Sequence, residues 1–119
     1  MTDAAVLAAI LDSLQDPLLF ADTEHRIWYM NQAAIEYYRE GENLIGRSLL
    51  DCHNERSQLL ITDILKAMRA GEEERLISES DVHRVYMRAV RDGRGRLLGY
   101  YERYEPLTGR AGDDPARAR

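Results

Sequence analysis

Cysteine is nearly absent from this chain of 119 residues, where Cys52 stands alone. A lone thiol excludes an internal disulfide framework and fits a reducing compartment, so a cytoplasmic location is expected. Long apolar runs are missing as well. Nothing approaches the roughly 18 consecutive apolar residues of a membrane-spanning helix, and no secretion-signal pattern is present, so neither membrane insertion nor export is expected. Clustered Lys and Arg are lacking, and the net charge of −5 argues against a surface that tracks phosphates. Nucleic acid is therefore not an expected partner. The chain has no Gly-rich phosphate loop after a strand, no Gly-x-Ser-x-Gly elbow and no readable His/Cys/Asp set. Ser48, Ser57, Ser78 and Ser80 show no paired base, so no enzyme is expected. No internal repeat occurs.

What is present is an ordinary globular balance, with 45% apolar and 31% charged residues in a length that suits one domain with a modest core. The most informative segment is Arg26-Ile-Trp-Tyr-Met-Asn31, followed at once by Gln32-Ala-Ala-Ile-Glu-Tyr-Tyr38. It reads as a short strand, with Ile27 and Tyr29 facing one way and Trp28 and Met30 the other, running into a helix capped by Asn31. Leu18-Leu-Phe-Ala-Asp22 before it is a second strand-like run, joined by the polar Thr23-Glu24-His25 connection, in which His25 is expected to be solvated.

Residues 3–14 have the spacing of an amphipathic helix with Asp3 as N-cap and an apolar seam of Val6 or Leu7, Ile10, Leu11 and Leu14. Asp16-Pro17 ends it, because a residue before proline leaves the α region. So short a helix must pack against its own sheet or a second copy of itself. Residues 42–51 are short and irregular, with Leu44, Ile45, Leu49 and Leu50 as apolar anchors and Gly46 as the backbone permit. A second amphipathic helix spans residues 55–70, capped by Asn54, carrying Leu60, Ile61, Ile64, Leu65 and Met68 as its buried stripe, and stopped by Gly71. Three strands follow, over 74–80, 82–91 and 97–105, with Asp92-Gly-Arg-Gly95 as the hairpin turn between the last two. The expected architecture is α+β: a five-stranded antiparallel sheet, its first and last strands side by side, with helices on one face and an N-terminal amphipathic helix. The expected divisions are that helix in 1–15, the domain proper in 16–108 and a disordered tail in 109–119.

That order of elements, with Asp22, Ile27, Asn31, Ile45-Gly-Arg47 and Arg91-Asp-Gly-Arg-Gly-Arg-Leu-Leu-Gly99, resembles a PAS domain across about residues 14–107. The resemblance implies a sheet curved over short helices around a pocket for a ligand or cofactor. It also implies sensing of small molecules, redox state or light, and dimerisation through the helix before the fold. A bacterial signalling module results, a single-domain protein or a piece of a larger one, that acts on a signalling protein partner. Light sensing is excluded by the run Ser48-Leu-Leu-Asp-Cys-His53, which lacks the polar residues that flank the reactive cysteine of flavin-binding PAS domains.

Leu49-Leu-Asp-Cys-His-Asn-Glu-Arg-Ser57 is similar to a segment of the haem-binding PAS domains of bacterial carbon-monoxide-responsive regulators, in which a histidine ligates the iron. Matched residue by residue, His53 takes that place and Ser57 the place of a serine four residues on. Asn54 stands where those domains carry proline. Their second ligand, a methionine, falls at Glu74-Arg-Leu-Ile77, and the nearest later methionine is Met87. The resemblance thus makes haem, held by the imidazole of His53 in an apolar slot, the sharpest expectation. The candidate cofactor-binding set is His53, Cys52, Leu60, Ile64, Met87 and His83. The bland alternative makes His53 a half-buried residue at a helix start, bonding a backbone carbonyl. Zinc lacks a second spaced ligand pair. The rival to a sensing pocket is a cofactor-free dimerisation and protein-docking domain. Its surface would be the outer sheet face carrying Tyr86, Tyr100, Tyr101 and Tyr104, with homodimerisation through residues 3–14 and the sheet.

Overall fold

The computed structural model describes residues 3–107. The expected tail at 109–119 lies outside the described residues. The N-terminal helix α1 covers Ala4–Asp12 and is capped by Asp3, whose carboxylate accepts from the Ala5 N–H at 2.8 Å. It stops short of Leu14, closed by Ser13. The hairpin of β1 (Leu18–Asp22) and β2 (Ile27–Met30) leads into α2 (Gln32–Tyr37). Two 3-10 turns, Gly41–Leu44 and Leu49–Cys52, occupy the irregular stretch before α3 (Glu55–Arg69). The chain then makes β3 (Glu74–Glu79), β4 (His83–Arg91) and β5 (Leu97–Pro106).

All neighbours in the sheet are antiparallel, in the order β2-β1-β5-β4-β3, so the first and last strands do form its middle. Gly99 makes that pairing possible. Its neighbour across β1 is Asp22, and a Cβ on Gly99 would lie 2.1 Å from the Ala21 carbonyl oxygen. The outer edge of β2 is not left open: Gly46 N–H donates to the Ile27 carbonyl at 2.7 Å and Ile27 N–H to the Arg47 carbonyl at 2.9 Å. The Ile45-Gly-Arg47 segment thereby satisfies backbone groups that would otherwise invite a foreign strand.

Simple alternation fails in β2, and the cause is local. Phe20 pairs with Tyr29 but Ala21 pairs with Ile27, so Trp28 is an extra residue, a bulge. Ile27 and Met30 are consequently both buried, while Trp28 is exposed and its indole donates to Asp22 at 2.7 Å. The expectation that Met30 shares the face of Trp28 is corrected by that one inserted residue.

The core lies between the sheet and the helices. Ile61, Ile64, Leu65 and Met68 of α3 pack with Leu19, Ala21, Met87 and Tyr100 of the sheet. Asn54 caps α3 through the Ser57 N–H at 2.9 Å, with Glu55 in its first turn and Lys66 and Arg69 in its last, each suiting the helix dipole. Asn31 does more than cap α2. Its buried amide oxygen accepts from Ala34 and Leu18 N–H, and its amide nitrogen donates to the Leu11 and Asp16 carbonyls. One side chain thus fastens α1, β1 and α2 together.

His25 is not solvated. Its ring is buried in the hairpin turn, 2.9 Å from the Tyr100 hydroxyl through Nδ1. The residue sits at a φ of 66°, which turns the side chain back under the sheet. Burial depresses its pKa, and Arg69 adds to that while Asp22 opposes it.

Candidate functional site

A cavity of about 370 Å³ lies between the sheet, α3 and the 3-10 turns. Its wall comes from almost every element: Leu19 of β1, Ile27 of β2, Leu44 and Leu49 of the turns, and Ile61 of α3. Cys52, Leu60 and Ser78 stand at its exposed rim. The size falls at the lower end of pockets that hold small molecules, about 300 to 1,000 Å³, and the wall is apolar with a few polar groups.

The polar groups converge from two sides. His53 follows the second 3-10 turn, and its Nδ1–H donates to the Leu49 carbonyl at 2.9 Å. In the neutral ring that bond places the proton on Nδ1 and the lone pair on Nε2, the arrangement in which imidazole serves as an acceptor or a metal ligand. Opposite, β5 contributes Glu102 and Tyr104, and Tyr38 joins them from the end of α2. The Tyr38 and Tyr104 hydroxyls are hydrogen-bonded to each other. Their rings, with those of Tyr37 and His83, form an edge-to-face cluster in which Tyr37 and Tyr104 are 5.1 Å apart and His83 and Tyr104 5.6 Å.

Glu102 is the unusual member. It is 4% exposed, and its Oε2 is the one fully buried side-chain oxygen or nitrogen without a partner among the described residues. Burial pushes its carboxyl above the ordinary carboxylate range, with His53 and a hydrogen bond from Tyr38 pulling the other way. Burial likewise raises the Tyr38 and Tyr104 phenols, Glu102 reinforcing both shifts. The Cys52 thiol is raised by burial and then by Glu40, which keeps it protonated and unlike a thiolate ligand.

Of the expected set, the structure brings His53, Cys52 and Leu60 together around this cavity. It does not bring Ile64, Met87 or His83 there. Ile64 and Met87 are fully buried core residues that pack elsewhere. His83 stands behind Tyr104, in ring contact with Tyr37, and touches the cavity only through that cluster. The residues missed from the sequence are Glu102, Tyr38 and Tyr104. Strand phase carried the signal, since Tyr100, Glu102 and Tyr104 share the inward face of β5. The outward set of Tyr101, Arg103 and Glu105 is equally mixed, however, so composition alone did not say which face was inside. The four late tyrosines therefore divide. Tyr100 is fully buried and Tyr104 lines the cavity, while Tyr86 on β4 lies under the Arg103 guanidinium at 4.2 Å.

The resemblance to haem sensors can be tested on these groups. His53 suits iron, with Nδ1 anchored and Nε2 available. The surrounding wall does not suit a porphyrin: a haem plate has no donor for the vacant Glu102 oxygen, and its own carboxylates would add like charge. Met87 is not positioned as a second ligand. The described residues contain no group of three or more His, Cys, Asp or Glu that could hold a metal ion.

Comparison with known proteins places this geometry. A family profile described as "PAS fold" matches residues 11–112. The chain belongs to the PAS family. No curated protein matches it. Among solved structures it is similar to a C-terminal domain from Streptococcus mutans, with a TM-score of 0.76 at 19% identity over 95% of this chain and 91% of that one. The PAS domain of BvgS from Bordetella pertussis matches with a TM-score of 0.63 at 18% identity over 92% and 89%. The Aer2 receptor from Vibrio cholerae, described as a dual PAS-haem oxygen sensor, matches with 0.58 at 19% over 78% and 95%. At these identities the likeness is one of fold. Among the described residues, no helix is long and apolar enough to cross a membrane.

Proposed function

We propose that the chain is a non-catalytic sensory module that holds a small molecule in the cavity beside His53 and Glu102 and passes its occupancy to a partner through α1. One observation carries the reading: a cavity of about 370 Å³ whose innermost polar group is a buried carboxyl with a vacant oxygen. A buried polar atom without a partner is destabilising, typically by about 1–3 kcal/mol, so a site that keeps one is built to have it satisfied by something else.

The partner reading rests on α1. Val6, Leu7, Ile10 and Leu14 are all exposed, and no residue of the helix is buried. A second copy of the chain, offering the same face, would cover them, in keeping with the isologous interfaces of twofold dimers. The outer sheet face serves such a role less well. Arg84, Arg88 and Arg103 there pair with Glu74, Glu79 and Glu105, a charged lattice suited to water.

The test is to purify the chain from cells, denature it, and identify released small molecules by mass spectrometry. Wild type should release a molecule that Ser57→Trp, which drives an indole into the cavity from α3, does not. Release of nothing from either, or of the same molecule from both, would contradict the reading. Hemin addition discriminates further: only the broad absorbance of free haem is expected. A sharp Soret band lost in His53→Ala would install haem instead.

A further inference from the structure

The ligand proposed above is unspecified by its cavity's size, but not by its polar groups. No Arg or Lys lines the space. The one carboxyl there is buried, and its Oε2 has no partner. Beside it stand two tyrosine rings, Tyr38 and Tyr104, whose hydroxyls are already engaged with each other. An anion would meet the carboxylate with no compensating cation. A purely apolar molecule would leave the oxygen unsatisfied. A positive N–H group satisfies both demands at once, since it donates to the carboxylate and is attracted by the faces of electron-rich rings.

We propose that the cavity receives a small organic cation, an amine or amidine on a compact apolar body, whose N–H donates to the vacant oxygen of Glu102 beside the rings of Tyr38 and Tyr104. The apolar body lies against Leu19, Ile27 and Ile61. His53, with Nε2 free, accepts a second N–H from the same ligand. The inference rests on the cavity being a receptor site and adds the class of molecule it selects. The high pKa of the Glu102 carboxyl, raised by burial, agrees with a site that lacks its counter-charge until a ligand brings one. The ionisable groups around Glu102 are His53, Cys52, Tyr38, Tyr100 and Tyr104, with no Arg or Lys among them.

The experiment is isothermal titration of the whole chain, at physiological salt to screen non-specific attraction to its net charge, with three probes of one shape. These are 2-phenylethylammonium, 2-phenylethanol and 3-phenylpropionate. The ammonium should bind at least about tenfold more tightly than the alcohol, and the carboxylate least. Glu102→Gln, nearly isosteric, should reduce the preference for ammonium over alcohol to less than about threefold. Tyr104→Leu, which keeps the carboxyl and removes a ring, should weaken ammonium by about threefold while leaving the alcohol unchanged. Equal binding of ammonium and alcohol, or a preference that survives Glu102→Gln, overturns the cationic class and leaves the receptor reading intact. Failure of all three probes at millimolar concentration overturns both.

Discussion

Helices α1 and α3 carry the same kind of sequence pattern and meet opposite fates. Both have apolar residues at helical spacing and an N-cap of Asp or Asn. In α3 the stripe is covered, with Ile64 and Met68 fully buried. In α1 Val6, Leu7 and Ile10 are exposed while Leu11 is half-buried, and polar contacts tie the helix at its far end. Asp12 accepts from the Tyr29 hydroxyl at 2.7 Å and the Gln32 N–H at 3.0 Å, and the Leu11 carbonyl accepts from Asn31. Amphipathic spacing announces that a face will be covered; it does not say by what. For α3 the cover is the sheet, and in packing there the helix also closes the cavity. For α1 no described residue buries Val6, Leu7 or Ile10.

Four substitutions would break or sharpen that contrast. Ile64→Ala should destabilise the fold most, by about 3 kcal/mol, because it leaves a hole in a fully packed core. Denaturant unfolding measures it. Asn31→Ala should come next, at about 2 kcal/mol, since it unties α1 and uncaps α2 together. The same melts should show α1 amides losing hydrogen-exchange protection ahead of those in α3.

Smaller still is a pH effect. The folded carboxyl of Glu102 lies above its ordinary 4.5 because burial disfavours its charge. Its stabilising contribution is thus complete below the unfolded value and is lost as pH rises through the folded one. Unfolding curves of wild type should fall relative to Glu102→Gln as pH climbs through that window. Asp22 and His25 run the other way. Burial raises Asp22, but bonds from the Arg26 and Glu24 backbones and the Trp28 indole outweigh it, and burial lowers His25. Both contribute stability that disappears as pH falls through their folded values. The smallest change in fold stability, within about 0.5 kcal/mol for the monomer, is expected from Ile10→Ser on α1. Its effect should appear in light scattering instead, as a shift from dimer to monomer. An unchanged dimer would move the interface onto the sheet.

Much of the fold was legible in the sequence because each element carries its own punctuation. Asn31, Asn54 and Gly71 mark helix ends, and the glycine-bearing turn at 92–95 sets the last hairpin, whereas α1 closes at Ser13, before the expected stop at Asp16-Pro17. The placing of the first and last strands side by side was expected with the α+β order of elements, and they do form the middle of the sheet. Three features escaped. The bulge at Trp28 depends on how β1 and β2 pair, which no residue of β2 advertises. The inward turn of His25 depends on a hydroxyl 75 positions away on Tyr100. The acidic pole of the cavity depends on the phase of β5, whose two faces both mix tyrosine with charge. His53 and Cys52 were legible because they sit in a motif; Glu102 was not, because a glutamate in a strand is ordinarily solvated.

Amide-resolved NMR during titration of the chain with 2-phenylethylammonium tests the central claim most directly. If the hollow is a receptor with Glu102 at its pole, the largest shifts should cluster at His53, Ser78, Glu102 and Tyr104, and spare the bare face of α1. Shifts confined to Val6, Leu7 and Ile10, or scattered over the outer acidic residues with the interior silent, would contradict it.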